Sequence, residues 1–409
     1  MESKFSEWLG WRENNECEQF VKMVTYMDLA GTAAGTAAAG DSALPDPCAD
    51  PKLTEWGKCE ILLGPKGTLS LCGDPINLLE QGERKCDKVP IYTIPTRNHP
   101  GGVRITNDLD WEAITAMEGV KSDNERLMIT GSQFVAGQYD GLERLVNTGY
   151  VDVHTMRRCS SVDSTIVDWA SDDMTGAVNG FGSIVNKITE IVRRIKQRIA
   201  YAKKGNIRPG DMVIVLPSFL ADCLLDEWAC WGLCTGQVYN EVFRNSLDLR
   251  TYRDGLNGGL FGDGQIEVDG FPIPLIRHDW MNIDQAAPNF CSDIYILTRQ
   301  IGARRILYGQ FLNLSTAADL ARQFGSTHYR AIGNGKFIQL IKNENFCVQT
   351  CAAVRPNIFL SAPWAQARIT DVCCYSQLGP ITPDALSPYY IEDHITPATA
   401  IPQAYGYFV

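Results

Sequence analysis

"SIVNKITEIVRRIKQRIAYAKKGNIRPGDMVIVLPSFLADCLL", residues 183 to 225, is the stretch whose reading decides the fold. Ile184, Ile188, Ile191, Ile195 and Ile199 recur at three- and four-residue steps, which places them on one stripe of a helix. Ser183 stands where a cap belongs. Lys203 and Lys204 put cations in the last turn, and Gly205 follows as the stop. "DMVIVLP" (Asp211 to Pro217) is a short, continuous apolar strand, and Ser218 is placed to cap a second helix, "FLADCLLDEWACWG". Helix, strand, proline and helix in this order predict a mixed α+β body. The face opposite the isoleucines carries Arg193, Arg194, Lys196 and Arg198. It reads as a solvated basic face, with contact to nucleic acid or to a neighbouring subunit's acids as the functional reading.

Upstream, "NDLDWEAITAMEGVKSDNERLMITG" (Asn107 to Gly131) predicts another helix, through Leu109, Ile114, Met117, Val120, Leu127 and Met128. Asp108 or Asp110 caps it, Gly131 stops it, and Gly119 is a weak point inside it. Residues 59 to 107 read as extended. "KCEILLGPKGTLSLCG" (Lys58 to Gly73) is strand, turn, strand. "VPIYTIPTRNHPGGVRIT" (Val89 to Thr106) is a second extended piece, broken by Pro95 and by Pro100-Gly101-Gly102. Chain so punctuated packs poorly as a core and reads as an arm or a long two-stranded loop. Before it, "AGTAAGTAAAGDSALPDP" (Ala30 to Pro47) has the glycines of a phosphate loop but no lysine after them. It reads as part of an N-terminal arm that other chains would order.

Downstream, "IEVDGFPIPLI" is a hairpin turning at Asp269-Gly270. "DIYILTRQIGARRILYG" supplies two more strands, and "GNGKF" (Gly333 to Phe337) is a turn between strands. "KFIQLIKNENFCVQTCAAV" is a long hairpin around Asn343-Glu344-Asn345, and "NIFLSAPWAQARITDVCC" is the last regular piece. The tail after Cys374 is rich in proline and aromatics. It is expected to lay Tyr389, Tyr390, Tyr405, Tyr407 and Phe408 onto another surface.

Composition bounds the function. At 409 residues the chain exceeds a single core, and 45% apolar with 21% charged residues is globular. A net charge of −11 argues against a surface that grips nucleic acid throughout. No stretch approaches a membrane span, and the first twenty residues are too polar for a secretory signal. The 14 cysteines include no C-x-x-C; the nearest spacings are Cys230/Cys234, Cys347/Cys351 and the vicinal Cys373-Cys374. No structural zinc spacing results. The expectation is buried, reduced thiols, with Cys48, Cys59, Cys72 and Cys86 the place for any disulfide. His99, His154, His278, His328 and His394 are scattered singly, and Asp172-Asp173 and Asp226-Glu227 read as solvated. There is no nucleophile elbow. No catalytic, cofactor-binding or metal residue is nominated, and no cofactor is implied.

The order of elements resembles the tailed-bacteriophage major capsid protein of the Hong Kong 97 type. "NERLMITGSQFVAGQYDGLERLV" resembles the end of its spine helix and the following "G…GL" loop. "RPGDMVIVLPSFLADCLL" resembles the helix–strand–Pro–helix passage of its axial domain. "IEVDGFPIPLIRHDWM" resembles its hairpin, "SDIYIL" the strand after it, and "RPNIFLSAPWAQARITDV" the closing strands. The resemblance implies an N-terminal arm at 1–58, an extended β loop at 59–107 and a peripheral domain with the spine helix at 108–206. It further implies an axial domain at 207–332, closing strands of the peripheral domain at 333–374 and a C-terminal extended arm at 375–409.

By the same resemblance the chain would be a non-enzymatic major capsid protein, a homo-oligomer whose hexamers and pentamers close an icosahedral shell. The shell would enclose double-stranded DNA without sequence-specific binding, assemble in the host cytoplasm and meet scaffolding, portal or decoration proteins but no membrane. Some members of the family cross-link a loop lysine to a neighbour's asparagine. Lys58, Lys66, Lys85 and Lys88 lie in or near the extended region, yet nothing identifies an acceptor, so disulfides or plain packing are expected instead. The tail after Cys374 exceeds the minimal fold. A long charged N-terminal helical segment of the internal-scaffold kind is absent, which implies a separate scaffolding protein or none. Two alternatives stand beside this reading: an encapsulin-like compartment shell, and a cytosolic thiol or metal enzyme using Cys230/Cys234 or Cys347/Cys351.

Overall fold

A computed structural model describes residues 3–14, 21–25, 59–77, 92–96, 99–105, 108–170, 183–201, 207–224, 264–278, 280–281, 290–313, 329–332, 336–344 and 347–374. The "AGTAAGTAAAGDSALPDP" stretch, the residues after Cys374, Cys230/Cys234 and both acidic pairs lie outside the described residues.

The chain enters through helix α1 (Lys4–Leu9) and strand β1 (Trp11–Asn14). Strands β2 (Val21–Thr25), β3 (Cys59–Leu63), β4 (Leu69–Cys72) and β5 (Ile76–Asn77) follow, then the hairpin of β6 (Tyr92–Thr96) and β7 (His99–Ile105). Helix α2 (Asp108–Thr130), the turn α3 (Leu142–Leu145) and β8 (Thr165–Asp168) precede α4 (Ile184–Tyr201). Next come β9 (Met212–Leu216), a helical turn at 218–224, β10 (Gln265–Val268), β11 (Phe271–Arg277) and β12 (Phe290–Thr298). A short hairpin of β13 (Gln300–Ile301) and β14 (Arg304–Arg305) leads to β15 (Leu307–Leu312), β16 (Tyr329–Ile332) and β17 (Phe337–Glu344). Strands β18 (Cys347–Val354), β19 (Pro356–Leu360) and β20 (Ala367–Cys374) complete it.

The centre is a mixed six-stranded sheet in the order β10-β11-β9-β12-β20-β8. β9 runs parallel to β11 and antiparallel to β12, and β20 runs parallel to β8. Side chains alternate across a strand, so one apolar run can serve two cores. Met212, Ile214 and Leu216 join the α4 isoleucines in one core, with Ile294 and Ile296 of β12. Val213 and Val215 face the other core, with Tyr295, Leu297, Phe5, Trp8 and Leu127. This is why "MVIVL" shows no alternation. The isoleucine stripe of α4 is buried throughout, as its spacing predicts.

The sheet draws strands from 165–168, 212–216, 265–277, 290–298 and 367–374, so the body does not divide at 206 and 332 as the sequence reading placed its boundaries. The long-range parallel pairing of β20 with β8 is invisible to a reading by segments. A second correction concerns the N-terminus. Residues 3–14, assigned to an arm, belong to the body: Phe5, Trp8 and Leu9 are buried and β1 pairs in parallel with β15. Trp8 Nε1 donates to the Gly210 carbonyl at 2.8 Å, and the Trp11 ring lies where a Cβ on Gly309 would stand, at 2.5 Å.

Strands β3 and β4 form where "KCEILLGPKGTLSLCG" predicts, but not as a hairpin. β3 pairs with β2, while β4 joins β18 in a sheet ordered β16-β17-β18-β4. β7 runs straight through Pro100-Gly101-Gly102 instead of breaking there. Pro95 falls at the register irregularity of β6, where a residue lacking N–H drops out of the ladder. The strand pairs β10–β11, β16–β17 and β17–β18 form antiparallel as expected, the last with Asn343 and Glu344 inside the ladder rather than in the turn. Asp269 (φ 52°) and Gly270 (φ 74°) take the left-handed pair that a two-residue turn requires.

Helix α2 packs on β18 and β4 through Ala116, Met117 and Val120 against Leu69, Ala352 and Val354. Its weak point has a packing reason: a Cβ on Gly119 would stand 2.2 Å from Leu71 Cδ2. Two capping expectations are corrected. Among the described residues the Ser183 hydroxyl has no hydrogen-bond partner; its carbonyl receives the N–H of Asn186 and Lys187. Ser218 is already helical, and the Pro217 carbonyl opens that helix by accepting from Ala221 N–H.

Candidate assembly surfaces

Two turns present large apolar side chains to solvent. The first follows α2. Gly131 N–H closes on the Leu127 carbonyl, and Gly141 N–H returns to the Gly131 carbonyl at 2.9 Å. Any Cβ there would collide with backbone: on Gly131 with Tyr139 O at 2.3 Å, on Gly141 with Ile129 O at 2.5 Å. So Gly131 ends the helix by close approach of chain to chain, not by a left-handed φ. The loop projects Phe134, 78% exposed, and the Arg144 guanidinium covers its ring at 4.3 Å. Asp140 ties the loop together, accepting from Gln133 N–H at 2.9 Å and pairing with Arg144 at 3.1 Å. Burial raises its carboxyl, against the lowering pull of Gln133 N–H and Arg144. Beneath it the buried Tyr139 hydroxyl donates to Asn124 Oδ1 at 2.9 Å, and burial holds its pKa well above the usual phenol range.

The second turn spans 151–158, bridged by Val151 and Arg158, with Met156 at its tip 76% exposed and at φ 55°. Asp152 organises it. Its carboxylate accepts the N–H groups of His154 and Thr155 through one oxygen and of Glu60 through the other. The Thr155 N–H, ahead of those of Glu60 and His154, draws that carboxyl down to about 2. Val153 N–H also donates to the Glu60 carbonyl, which docks the turn on β3. His154 and Glu60 pair alongside. Trp280 is also exposed, at 47%.

The basic face of α4 is partly spoken for. Arg193 makes a two-pronged pair with Asp269 at 2.7 and 2.6 Å, Arg198 donates to the Trp364 carbonyl, and Lys196 sits over the Phe271 ring. Arg194 is exposed. Lys66, a cross-link candidate, is buried; Lys58, Lys85 and Lys88 lie outside the described residues.

The cysteines overturn the expectation of reduced thiols. Among the described residues four disulfides form: Cys59–Cys159, Cys72–Cys351, Cys223–Cys374 and Cys291–Cys373. Cys59 and Cys72 take part as anticipated, though each reaches a partner in distant sequence rather than its own group. The vicinal Cys373 and Cys374 follow strand alternation to opposite faces of β20, one to β12 and one to the helical turn at 218–224. Cys351 is committed to Cys72, its cross-strand partner, which removes it from any Cys347/Cys351 metal pair. Cys347 is free and exposed. Separations of 82 to 279 residues explain why spacing in the sequence foretold none of the pairings.

Of the histidines, His278 is buried, with Nε2 3.5 Å from Glu125 Oε2 and its ring edge-on to Phe5. Glu125 also accepts Ser3 N–H, so this pair helps seat α1. No sequence signal pointed to it.

Neither a family model nor a curated protein sequence matches the chain. Solved structures do. The native GTA particle capsid is 12% identical, with TM-score 0.46 over 91% of each chain. The SrpI encapsulin of Synechococcus elongatus PCC 7942 is 10% identical, with TM-score 0.42 over 90% of this chain and 86% of that one. The capsid chain of cyanophage A-1(L) is 14% identical, with TM-score 0.50 over 91% of this chain and 93% of that one. At that identity the likeness concerns the backbone alone, and on it this chain has the mixed helix-and-sheet fold of a phage capsid chain.

Proposed function

We propose that this chain is a major capsid protein, many copies of which close an icosahedral shell around the double-stranded DNA of a tailed phage. One observation carries the reading: a fold likeness to a cyanophage capsid chain that spans nearly the whole of both chains. A fold hosts many functions, so surface chemistry must agree with it. Phe134, Met156 and Trp280 stand out in solvent, as contact residues awaiting neighbours would. The β6–β7 hairpin pairs with no other described strand. A lone two-stranded ribbon is marginal in water, and a neighbouring subunit is a natural support for it.

On this reading α2 is the spine helix lying along the β16-β17-β18-β4 sheet of the peripheral domain, and β6–β7 is the extended loop. The six-stranded sheet with α4 is the axial domain, now including β8 and β20. The N-terminal arm begins after residue 14, and the C-terminal arm follows Cys374. The subunit works by packing rather than by chemistry, with its place in the virion. Scaffolding, portal and decoration proteins would be its further partners. Its negative charge suits an inner wall that must release a polyanion.

Sedimentation of the purified chain, alone and co-expressed with phage scaffold, tests the proposal. Closed particles are expected, filled with DNA when isolated from virions. Nucleic-acid-free shells holding a co-purified enzyme would favour the compartment reading. A chain that stays monomeric under every condition would contradict both.

A further inference from the structure

Cys59, at the start of β3, and Cys159, just past the 151–158 turn, flank the carboxylate of Asp152. One ligand atom from each of these three residues lies within 4.8 Å of the other two. Cys59 is buried, and Asp152 and Cys159 are half-buried. The carboxylate is already aimed by three backbone N–H groups, from His154 at 2.8 Å, Thr155 at 2.9 Å and Glu60 at 3.3 Å. Two sulfurs and one oxygen form a donor set that suits zinc and not the hard cations calcium or magnesium. Tetrahedral zinc, with bonds of about 2.3 Å to sulfur and about 2.0 Å to oxygen, sets ligand atoms roughly 3.3–3.8 Å apart. To hold the metal the two sulfurs must separate, and the carboxylate oxygen, within 4.8 Å of both, must close to that spacing.

We propose that Cys59, Asp152 and Cys159 form a zinc site when the Cys59–Cys159 disulfide is reduced, solvent taking the fourth position. The balance is simple. Two molecules of a small thiol supply two electrons and two protons to the S–S bond, leaving two protein thiols and one small-molecule disulfide. Zinc then displaces both thiol protons, and Asp152 binds as the anion it already is. β3 and the 151–158 turn are thus held together in a reducing medium by metal and in an oxidising medium by sulfur. In both states the turn that carries exposed Met156 stays pinned to β3. The proposal does not depend on the shell reading.

The test uses the full chain, reduced without oxygen by a phosphine, desalted and titrated with cobalt(II) as a spectroscopic probe. One equivalent should bind, with thiolate charge-transfer and tetrahedral d–d bands that zinc abolishes. Cys159→Ser should lose those bands, Asp152→Ala should weaken binding at least about tenfold, and Cys347→Ser should leave it unchanged. If a variant fails to fold, the wild type still decides. Zinc should protect Cys59 and Cys159 of the reduced chain from alkylation, as read by peptide mass. No thiolate–cobalt band in the reduced wild type, retention of the band by Cys159→Ser, or equal alkylation with and without zinc would each overturn the site.

Discussion

Gly131 and Gly141 illustrate how far a single hydrogen atom can matter. Each brings its backbone so close to a carbonyl that a methyl group has nowhere to go. Gly131→Ala or Gly141→Ala should cost about 1–3 kcal/mol, the usual range for overpacking, seen as a lowered urea midpoint. The cost should be larger than for Gly119→Ala, where the colliding atom is the free end of Leu71, a side chain that can turn away. A second residue-scale prediction concerns Asp269, whose carboxyl the Arg193 hydrogen bond holds below its ordinary value. A depressed folded value means that the unfolded chain binds the proton more readily. The contribution is therefore present above about pH 4 and lost as pH falls below it. Both partners are about half-exposed, so the pair should be worth no more than about 1 kcal/mol and should shrink in salt. Asp269→Asn keeps the left-handed turn and removes the charge, so its stability should track wild type at low pH and fall behind at neutral pH.

At the scale of elements, α1 and the disulfides are the parts most open to test. Trp8 fills the core under the six-stranded sheet and anchors to Gly210, so Trp8→Ala should cost about 3–5 kcal/mol. A true mobile arm would lose nothing, and unchanged thermal unfolding would return residues 3–14 to that status. Peptide mapping without reduction should recover the four linkages, and Cys223→Ser with Cys374→Ser should cost about 2–4 kcal/mol in the oxidised chain. The same elements show what a linear reading can reach. The α4 stripe, the MVIVL strand and the Asp269-Gly270 turn were legible because their signals are local: period, run and turn chemistry. The pairing of β1 with β15, β4 with β18 and β20 with β8 was not, because each joins segments hundreds of residues apart through backbone groups that every residue carries. The cysteine partners were hidden for the same reason. Of the candidate surface, only its general character was readable. Nothing in the sequence marked Phe134 or Met156, and only the fold shows them facing out.

At the scale of the whole molecule, two cores share one sheet, apolar turns lie at the surface, and the β6–β7 hairpin pairs with no other described strand. That division fits a subunit finished by its neighbours, in which many weak contacts repeated by symmetry replace one large interface. The most direct test is electron cryo-microscopy of the purified chain under assembly conditions. A closed icosahedral shell is predicted, with α2 lying along the shell wall, β6–β7 resting on an adjacent subunit and Phe134 and Met156 covered. A discrete monomer, or an assembly in which that hairpin and those two side chains remain in solvent, would contradict the account.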